Sequence, residues 1–275
     1  VLAVLPTGGG KSLCYQLPAL ALQGLTLVVS PLIALMKDQV DAFNRRGSAR
    51  AVAIHSGQTA AESFEAMGLV HRGGAALLYV APERLESPEF RLRLQALEPR
   101  LLVIDEAHCV SLWGHDFRPS YLCLDAVAEA LRPCPVLALT ATATPATRTD
   151  IIGRLRLRDP LVHVAPFDRP NLRFEVHPCG PDEKLRRLRR ILRELDGSGS
   201  QIVYVGRRKD ADDITASLER DGLGAVAYHA GMGAGDRSEA QEDWLAGKKP
   251  IAVATIAFGM GIDKADVRAV IHYQH

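Results

Sequence analysis

The opening of the 275-residue chain combines a strand, a glycine-rich turn and the start of a helix. Val1–Leu5 is a short apolar run of strand-forming residues, and Ser12–Leu17 has the composition of a helix start. The turn between them, Pro6–Lys11, contains three consecutive glycines. A strand that leads through a turn into a helix is the building unit of parallel sheets, because parallel strands need a crossover connection. The opening therefore predicts an α/β fold.

The same turn predicts an anion-binding site. N–H groups at a helix start have no partners within the helix and, together with the helix dipole, attract negative charge. Glycines let the backbone approach an anion closely, while the lysine and serine that follow suit the outer phosphates and Mg²⁺ of a polyphosphate. The candidate ligands are Thr7, Gly8, Gly9, Gly10, Lys11 and Ser12. Because Leu5 replaces the first glycine of the general phosphate-loop pattern, the segment alone is also compatible with a chance turn.

Short apolar runs alternate with helical patterns along the chain, which is typical of parallel sheets with helices on both faces. The predicted strands of the first part are Val1–Leu5, Leu25–Val29, Ala51–Ile54, Ala76–Val80, Leu101–Ile104 and Val136–Leu139. Those of the second part are Gln201–Val205, Ala225–Tyr228, Ile251–Ala254 and Val270–His272. We expect a first domain over residues 1–165 and a second over 172–275, separated by a proline-containing stretch. Since the chain begins inside one strand and stops directly after another, we expect a fragment truncated at both ends.

Two helices are predicted in more detail. The first has Ser30 as its N-cap and Pro31 at its first position. Its apolar stripe consists of Leu32, Leu35, Met36, Val40 and Phe43. The second helix, Lys184–Leu195, places leucines on one stripe and arginines on the opposite face, which fits a solvated face or a contact with nucleic acid.

Composition narrows the class of protein. With 47% hydrophobic and 24% charged residues the chain resembles an ordinary globular protein, and its net charge of +1 gives no general argument for nucleic acid. No apolar run is long enough for a membrane span. The five cysteines are an odd number without a C-x-x-C pair, so we expect no disulfide framework, no zinc site and a reducing cytoplasm.

Two adjacent acids follow the apolar run Leu101–Ile104. In open α/β sheets, ligands bind at the carboxyl ends of the strands, where Asp105 and Glu106 would lie. We expect Asp105 to hold Mg²⁺ together with Ser12, and Glu106 to orient or deprotonate an attacking water. An acidic pair that merely caps the next helix is the alternative. Together with the glycine-rich turn, however, the pair points to hydrolysis of a nucleoside triphosphate.

Hydroxyl and aromatic side chains surround this pair in the sequence. Thr140 and Thr142 follow another apolar run and are positioned to contact His108, although threonines also cap helices. Directly after the acids, Trp113, Phe117 and Arg118 lie among polar residues in a chain that has 5% aromatic residues. Aromatic faces stack on bases and arginine binds phosphates, which favours contact with a single strand over simple packing.

These motifs, in this order, resemble the RecQ family of DNA helicases in helicase superfamily 2. The resemblance covers nearly the whole chain. The segments that carry it are Leu5–Leu17, Val29–Gln39, Tyr79–Leu85, Asp105–Tyr121, Leu139–Thr144, Val203–Arg208, Tyr228–Met232 and Val253–Tyr273. It implies two RecA-like domains of the P-loop NTPase type, ATP between them, and 3′-to-5′ translocation on single-stranded and forked DNA in repair and recombination. It also implies a cytoplasmic protein, associated with the nucleoid if bacterial.

The resemblance implies roles for individual residues. The catalytic set is Lys11, Asp105, Glu106 and His108, with Ser12 and Asp105 as metal ligands and Asp263 near the ATP ribose. Residues implied in coupling are Thr140, Thr142, Trp113, Phe117 and Arg118. Residues implied in DNA binding are Ser30, Arg84, Trp113, Phe117, Arg118, Arg208, His229 and Gly259.

The chain also departs from the family pattern. Leu112 replaces a usual glutamine, and Gly206 and Arg207 replace a small polar pair. An adenine-recognition segment before Val1 and an arginine-finger motif after His275 are expected but lie outside the sequence. Two alternatives therefore remain: a fragment that binds ATP and DNA without useful turnover, and a phosphate-loop ATPase that does not act on nucleic acid.

Overall fold

A computed structural model describes residues 1–47, 49–114, 117–166, 168–255, 258 and 264–273. The chain divides into two compact units, Val1–Asn171 and Leu172–His275. Over the described residues, no helix is long and apolar enough to cross a membrane.

The first unit is a parallel α/β sandwich. Its strands are β1 (Leu2–Val4), β2 (Thr26–Val29), β3 (Ala51–Ile54), β4 (Leu77–Val80), β5 (Leu101–Ile104), β6 (Val136–Thr140) and β7 (Val162–Val164). Its helices are α1 (Leu13–Ala21), α2 (Ile33–Arg45), α3 (Ala60–His71), α4 (Pro88–Ala96), α5 (Leu124–Ala130) and α6 (Pro145–Arg154). Short 3₁₀ helices include Ala107–Val110 and Pro119–Cys123. Over the described residues the strands form one seven-stranded sheet in the order β3-β4-β2-β5-β6-β1-β7.

Alternate residues of the strands fill two apolar cores, one on each face of this sheet. In β2, Leu27 and Val29 belong to one core, whereas Val28 belongs to the other. Because every pairing in the sheet is parallel, the carboxyl ends of all strands lie on one edge. In particular, β6 lies between β1 and β5, so the segments that follow these three strands are neighbours.

The second unit repeats this architecture with fewer strands. Its strands are β8 (Ser200–Tyr204), β9 (Ala225–Tyr228), β10 (Ile251–Ala254) and β11 (Val267–His272), and its helices are α7 (Lys184–Glu194), α8 (Arg208–Arg220) and α9 (Ala234–Leu245). The sheet is parallel, with the order β11-β8-β10-β9. Trp244 is fully buried against Phe258 and the alanines of β10. In α7, Leu188 and Leu192 are buried.

The predicted cap of α2 is wrong. The helix begins at Ile33 with Leu32 in the cap position, and no side chain caps it. Ser30 instead continues β2, because its N–H donates to the Val80 carbonyl at 3.2 Å, and its side chain is buried. Ser30 is therefore hydrogen-bonded to the sheet and is not the N-cap of α2.

Candidate active site

The glycine-rich turn after β1 has a conformation that requires glycine. Gly8 and Gly10 have φ values of +76° and +82°, which favour residues without a Cβ. A Cβ on Gly9 would lie 2.8 Å from the Pro6 carbonyl, which already accepts the Gly9 N–H. The turn is fixed to the sheet by the Leu5 N–H, which donates to the Thr140 carbonyl at 3.0 Å.

The end of the turn leads directly into α1. Ser12 occupies the cap position of this helix, but its side chain makes no capping hydrogen bond. The first N–H groups of α1 therefore lie next to Lys11 and Ser12, as an anion site at a helix start requires.

Asp105 is a buried carboxylate at the carboxyl end of β5. Its side chain is only 8% exposed, and its N–H donates to the Val29 carbonyl at 2.9 Å. Burial raises the pKa of Asp105 to about 6 and the charge of Glu106 acts in the same direction, whereas the Glu106 N–H and the charge of Lys11 lower it. The charge of Lys11 thus acts on the Asp105 carboxylate. The buried hydroxyl of Ser30 lies beside this carboxylate, outside hydrogen-bonding geometry, and lowers the pKa slightly.

The donor set fits a magnesium ion. Mg²⁺ prefers oxygen ligands and is usually held by one or two carboxylates together with substrate phosphates. The Asp105 carboxylate and the Ser12 hydroxyl offer such oxygens, beside a turn suited to phosphates. Among the described residues, no group of three or more His, Cys, Asp or Glu side chains could hold a metal ion by itself.

Glu106 adopts a left-handed backbone conformation with φ 47° and ψ 47°. Such a conformation is unfavourable for residues other than glycine and is enriched at functional sites. Its side chain makes no capping bond to the 3₁₀ helix that follows, which argues against a simple capping role. Glu106 Oε2 instead lies 3.3 Å from Nδ1 of the buried His108.

His108 connects the acids to β6. Its Nδ1 lies 2.8 Å from Thr140 Oγ1, and that hydroxyl donates to the Thr142 carbonyl at 3.1 Å. In these contacts Thr142 is joined to Thr140, and Thr140 is joined to His108. The helix-capping alternative applies instead to Thr144, whose hydroxyl accepts the Thr147 N–H at the start of α6.

Trp113 lies on the surface of the first unit. Its side chain is 78% exposed, which excludes a role in core packing. It borders a depression of about 610 Å³ that is otherwise lined by residues of α6. Gly114, the next residue, approaches the loop backbone so closely that a Cβ would overlap the His108 carbonyl.

The other end of this loop is fixed to two neighbouring segments. The Arg118 N–H donates to the Cys109 carbonyl at 3.1 Å, and its Nη1 donates to the Pro31 carbonyl at 3.0 Å. Phe117 is half-buried beside it. Arg118 therefore connects the aromatic loop to the segment after β2.

Two contacts at the site were not predicted from the sequence. The buried Tyr121 hydroxyl donates to the Asp105 backbone carbonyl at 3.0 Å and so holds the backbone of this acid in place. Arg169 Nη1 donates to the Thr7 carbonyl of the phosphate turn at 2.7 Å. A short sequence pattern gives no signal for either contact, because each depends on where a loop returns to the sheet.

Arg84 and the second-unit candidates lie in separate places. The Arg84 guanidinium is 5.4 Å from the centre of the Phe90 ring, beyond β4. In the second unit, Arg208 begins α8, and its side chain lies close to Gly231. His229 is buried and its Nε2 lies 3.0 Å from Asp212 Oδ1. Their DNA roles and that of Ser30 stay predictions.

Two further candidates, Gly259 and Asp263, lie outside the described residues.

Comparisons with known proteins give matches along nearly the whole chain. Residues 1–151 match the DEAD/DEAH box helicase family, and residues 183–275 match the helicase conserved C-terminal domain. The ATP-dependent DNA helicase RecQ of Pasteurella multocida is 44% identical over 273 residues, which are 99% of this chain and 42% of the relative. The RecQ of Bacillus subtilis is 44% identical over 272 residues, which are 98% of this chain and 45% of the relative.

A solved structure supports the fold alone. A variant of S. cerevisiae Dbp5, bound to Gle1 and IP6, is 16% identical and has a TM-score of 0.74 over 99% of this chain and 68% of its own. The chain spans less than half the length of the two RecQ relatives above. From the family match to residues 1–151, the chain belongs to the DEAD/DEAH box helicase family, and along nearly all of its length it is similar to RecQ helicases.

Proposed function

We propose that this chain carries the motor of an ATP-dependent DNA helicase that moves 3′ to 5′ along one strand and unwinds duplex and forked DNA in repair and recombination. One observation carries the proposal. The phosphate turn and the acidic pair follow β1 and β5, Thr140 ends β6 between these two strands, and the charge of Lys11 acts on Asp105. A nucleoside triphosphate would contact all of these groups at once.

The chemistry follows from the type of each group. The backbone N–H groups of the turn and Lys11 would bind the phosphates, while Ser12 and Asp105 would hold Mg²⁺, which neutralises charge on the phosphate oxygens. Glu106 would orient the attacking water and accept its proton. Positioning and charge stabilisation would supply most of the rate enhancement.

His108 is the proposed connection between hydrolysis and DNA. Its Nδ1 lies close to both Glu106 Oε2 and Thr140 Oγ1, and the chain continues from it to the exposed Trp113. A base stacked on Trp113 would bias the conformation of this loop and thereby the position of Glu106. By reciprocity, nucleotide state would change the affinity for DNA. In the second unit, Arg208, His229 and Gly259 are proposed to contact DNA, and Asp263 is proposed to contact the ribose of ATP.

Steady-state ATP hydrolysis, with and without single-stranded DNA, tests the proposal. We expect DNA to stimulate turnover, and Lys11→Ala to lower it about 100-fold with or without DNA, because a lost charge contact to the transferring phosphoryl group costs that much. Trp113→Ala should reduce the stimulation by DNA, whereas Trp113→Phe, which keeps an aromatic face, should retain most of it. Turnover that DNA does not change would reject coupling to nucleic acid.

Strand displacement tests the polarity. The substrates are duplexes with a single-stranded tail at either the 3′ or the 5′ end. We expect ATP-dependent displacement only from the 3′-tailed duplex. Displacement from the 5′-tailed duplex alone would contradict the proposed direction, and tight DNA binding without ATP hydrolysis would favour a binding module.

A further inference from the structure

Arg169 contacts the phosphate turn, although the two are far apart in the sequence. Strand β7 pairs with β1, so the residues after β7 emerge at the same edge of the sheet as the turn. The Ala165 N–H donates to the Val4 carbonyl at 2.9 Å and keeps the two segments adjacent. Four residues later, Arg169 Nη1 donates to the Thr7 carbonyl at 2.7 Å.

This contact fixes one peptide group of the phosphate turn. In a trans peptide the C=O and the following N–H point in opposite directions. The Thr7 carbonyl points to Arg169, so the Gly8 N–H points away from Arg169. Gly8 has a φ of +76°, and a Cβ placed on it would meet no atom within 4 Å. No steric contact at Gly8 therefore opposes a rotation of this peptide, which a glycine permits, and the Arg169 hydrogen bond favours the observed orientation.

We propose that Arg169 is a positioning residue that pre-orients the Thr7–Gly8 peptide for nucleotide phosphates. The inference rests on the nucleotide site proposed above and adds a residue to it. Without the guanidinium, the peptide would sample orientations in which the Thr7 carbonyl, with its negative partial charge, faces the phosphates. Binding would then include the cost of selecting the correct orientation.

Equilibrium titration with fluorescently labelled ADP and Mg²⁺ tests the proposal independently of turnover. We expect Arg169→Ala to weaken ADP binding about tenfold, because a charged hydrogen bond contributes about that factor when it is partly exposed to solvent. Arg169→Lys, which keeps one donor of the same charge, should recover part of the affinity. Arg173→Ala is the matched control, since Arg173 is 87% exposed and pairs with Glu175 on the surface.

Two further measurements separate positioning from folding. Hydrogen exchange of the amides of residues 8–12 should be faster in Arg169→Ala than in Arg173→Ala. Urea unfolding without nucleotide should be the same for both variants. Equal ADP affinity in Arg169→Ala and Arg173→Ala, or a loss of affinity fully explained by a lower stability, would overturn the proposal. Unchanged ADP affinity in Lys11→Ala would instead contradict the proposed nucleotide site itself.

Discussion

At the scale of single residues, Glu106 combines a proposed chemical role with an unfavourable backbone. Its left-handed conformation costs an L-residue about 1–2 kcal/mol, whereas a glycine adopts it freely but loses about 0.5–1 kcal/mol more through chain entropy. We therefore expect Glu106→Gly to be about 1 kcal/mol more stable to urea unfolding than Glu106→Ala. Both variants lack the carboxylate, so we expect each to hydrolyse ATP at least about 100-fold more slowly than the unsubstituted chain.

A control for this prediction is available in the same unit. Glu98 is exposed and has a φ of +46°, so it shares the backbone conformation but none of the proposed chemistry. Glu98→Gly should exceed Glu98→Ala in stability by a similar amount and leave hydrolysis unchanged. If the glycine and alanine variants of Glu106 unfold at the same urea concentration while those of Glu98 differ, the backbone strain at Glu106 is not a stability cost.

At the scale of elements, the loop between the acids and Pro119–Cys123 depends on one close backbone approach. A Cβ on Gly114 would overlap the His108 carbonyl and lie 3.1 Å from the Ser111 carbonyl. Gly114→Ala must therefore displace the loop that carries Trp113. We expect this variant to lose most of the stimulation of ATP hydrolysis by DNA while it retains its affinity for labelled ADP.

The control for the loop is a glycine with space around it. A Cβ on Gly235 at the start of α9 would meet no atom within 4 Å, so Gly235→Ala should leave both ADP affinity and DNA stimulation as they are. A Gly114→Ala variant that responds normally to DNA would show that the loop position is not needed for coupling.

The elements also show what periodicity predicts and what it misses. The buried strands were predicted because they are continuous apolar runs between turn residues. β7 was missed, because Val162 is 42% exposed at the edge of the sheet and the strand has no apolar run. The predicted N-cap at Ser30 was wrong, since its side chain lies beside Asp105 rather than at a helix start. Local patterns cannot decide between a sheet and a helix for such a residue.

At the scale of the whole molecule, parallel topology explains why much of the site was predictable. Motifs that follow parallel strands must meet at one edge, so Asp105 was expected near Ser12, and Thr140 near His108, before any coordinates. Tyr121 and Arg169 were not, because the return path of a loop determines both contacts. Arg169 and Thr7 are separated by 162 positions in the sequence.

Three buried tyrosines make the stability of the first unit sensitive to alkaline pH. Desolvation raises the pKa of Tyr15, Tyr79 and Tyr121. In the unfolded chain these phenols ionise at about pH 10. Because the folded state keeps their protons, the stability they contribute is fully present below about pH 10 and is lost as the pH rises above it. We therefore expect the free energy of unfolding of the first unit to fall steeply above this pH.

The two units allow this prediction to be tested within one molecule. In the second unit, Tyr204 and Tyr273 are only half-buried, so less desolvation opposes their ionisation. Urea unfolding at about pH 8 and about pH 11 would be followed by fluorescence of the buried Trp244 for the second unit and by circular dichroism for both. The first unit should lose more stability, and Tyr79→Phe, which removes one ionisable phenol, should reduce that loss. The opposite result would be a larger drop in the urea midpoint for the Trp244 transition than for the rest of the circular dichroism signal. It would show that the buried phenols of the first unit do not control the pH dependence of stability.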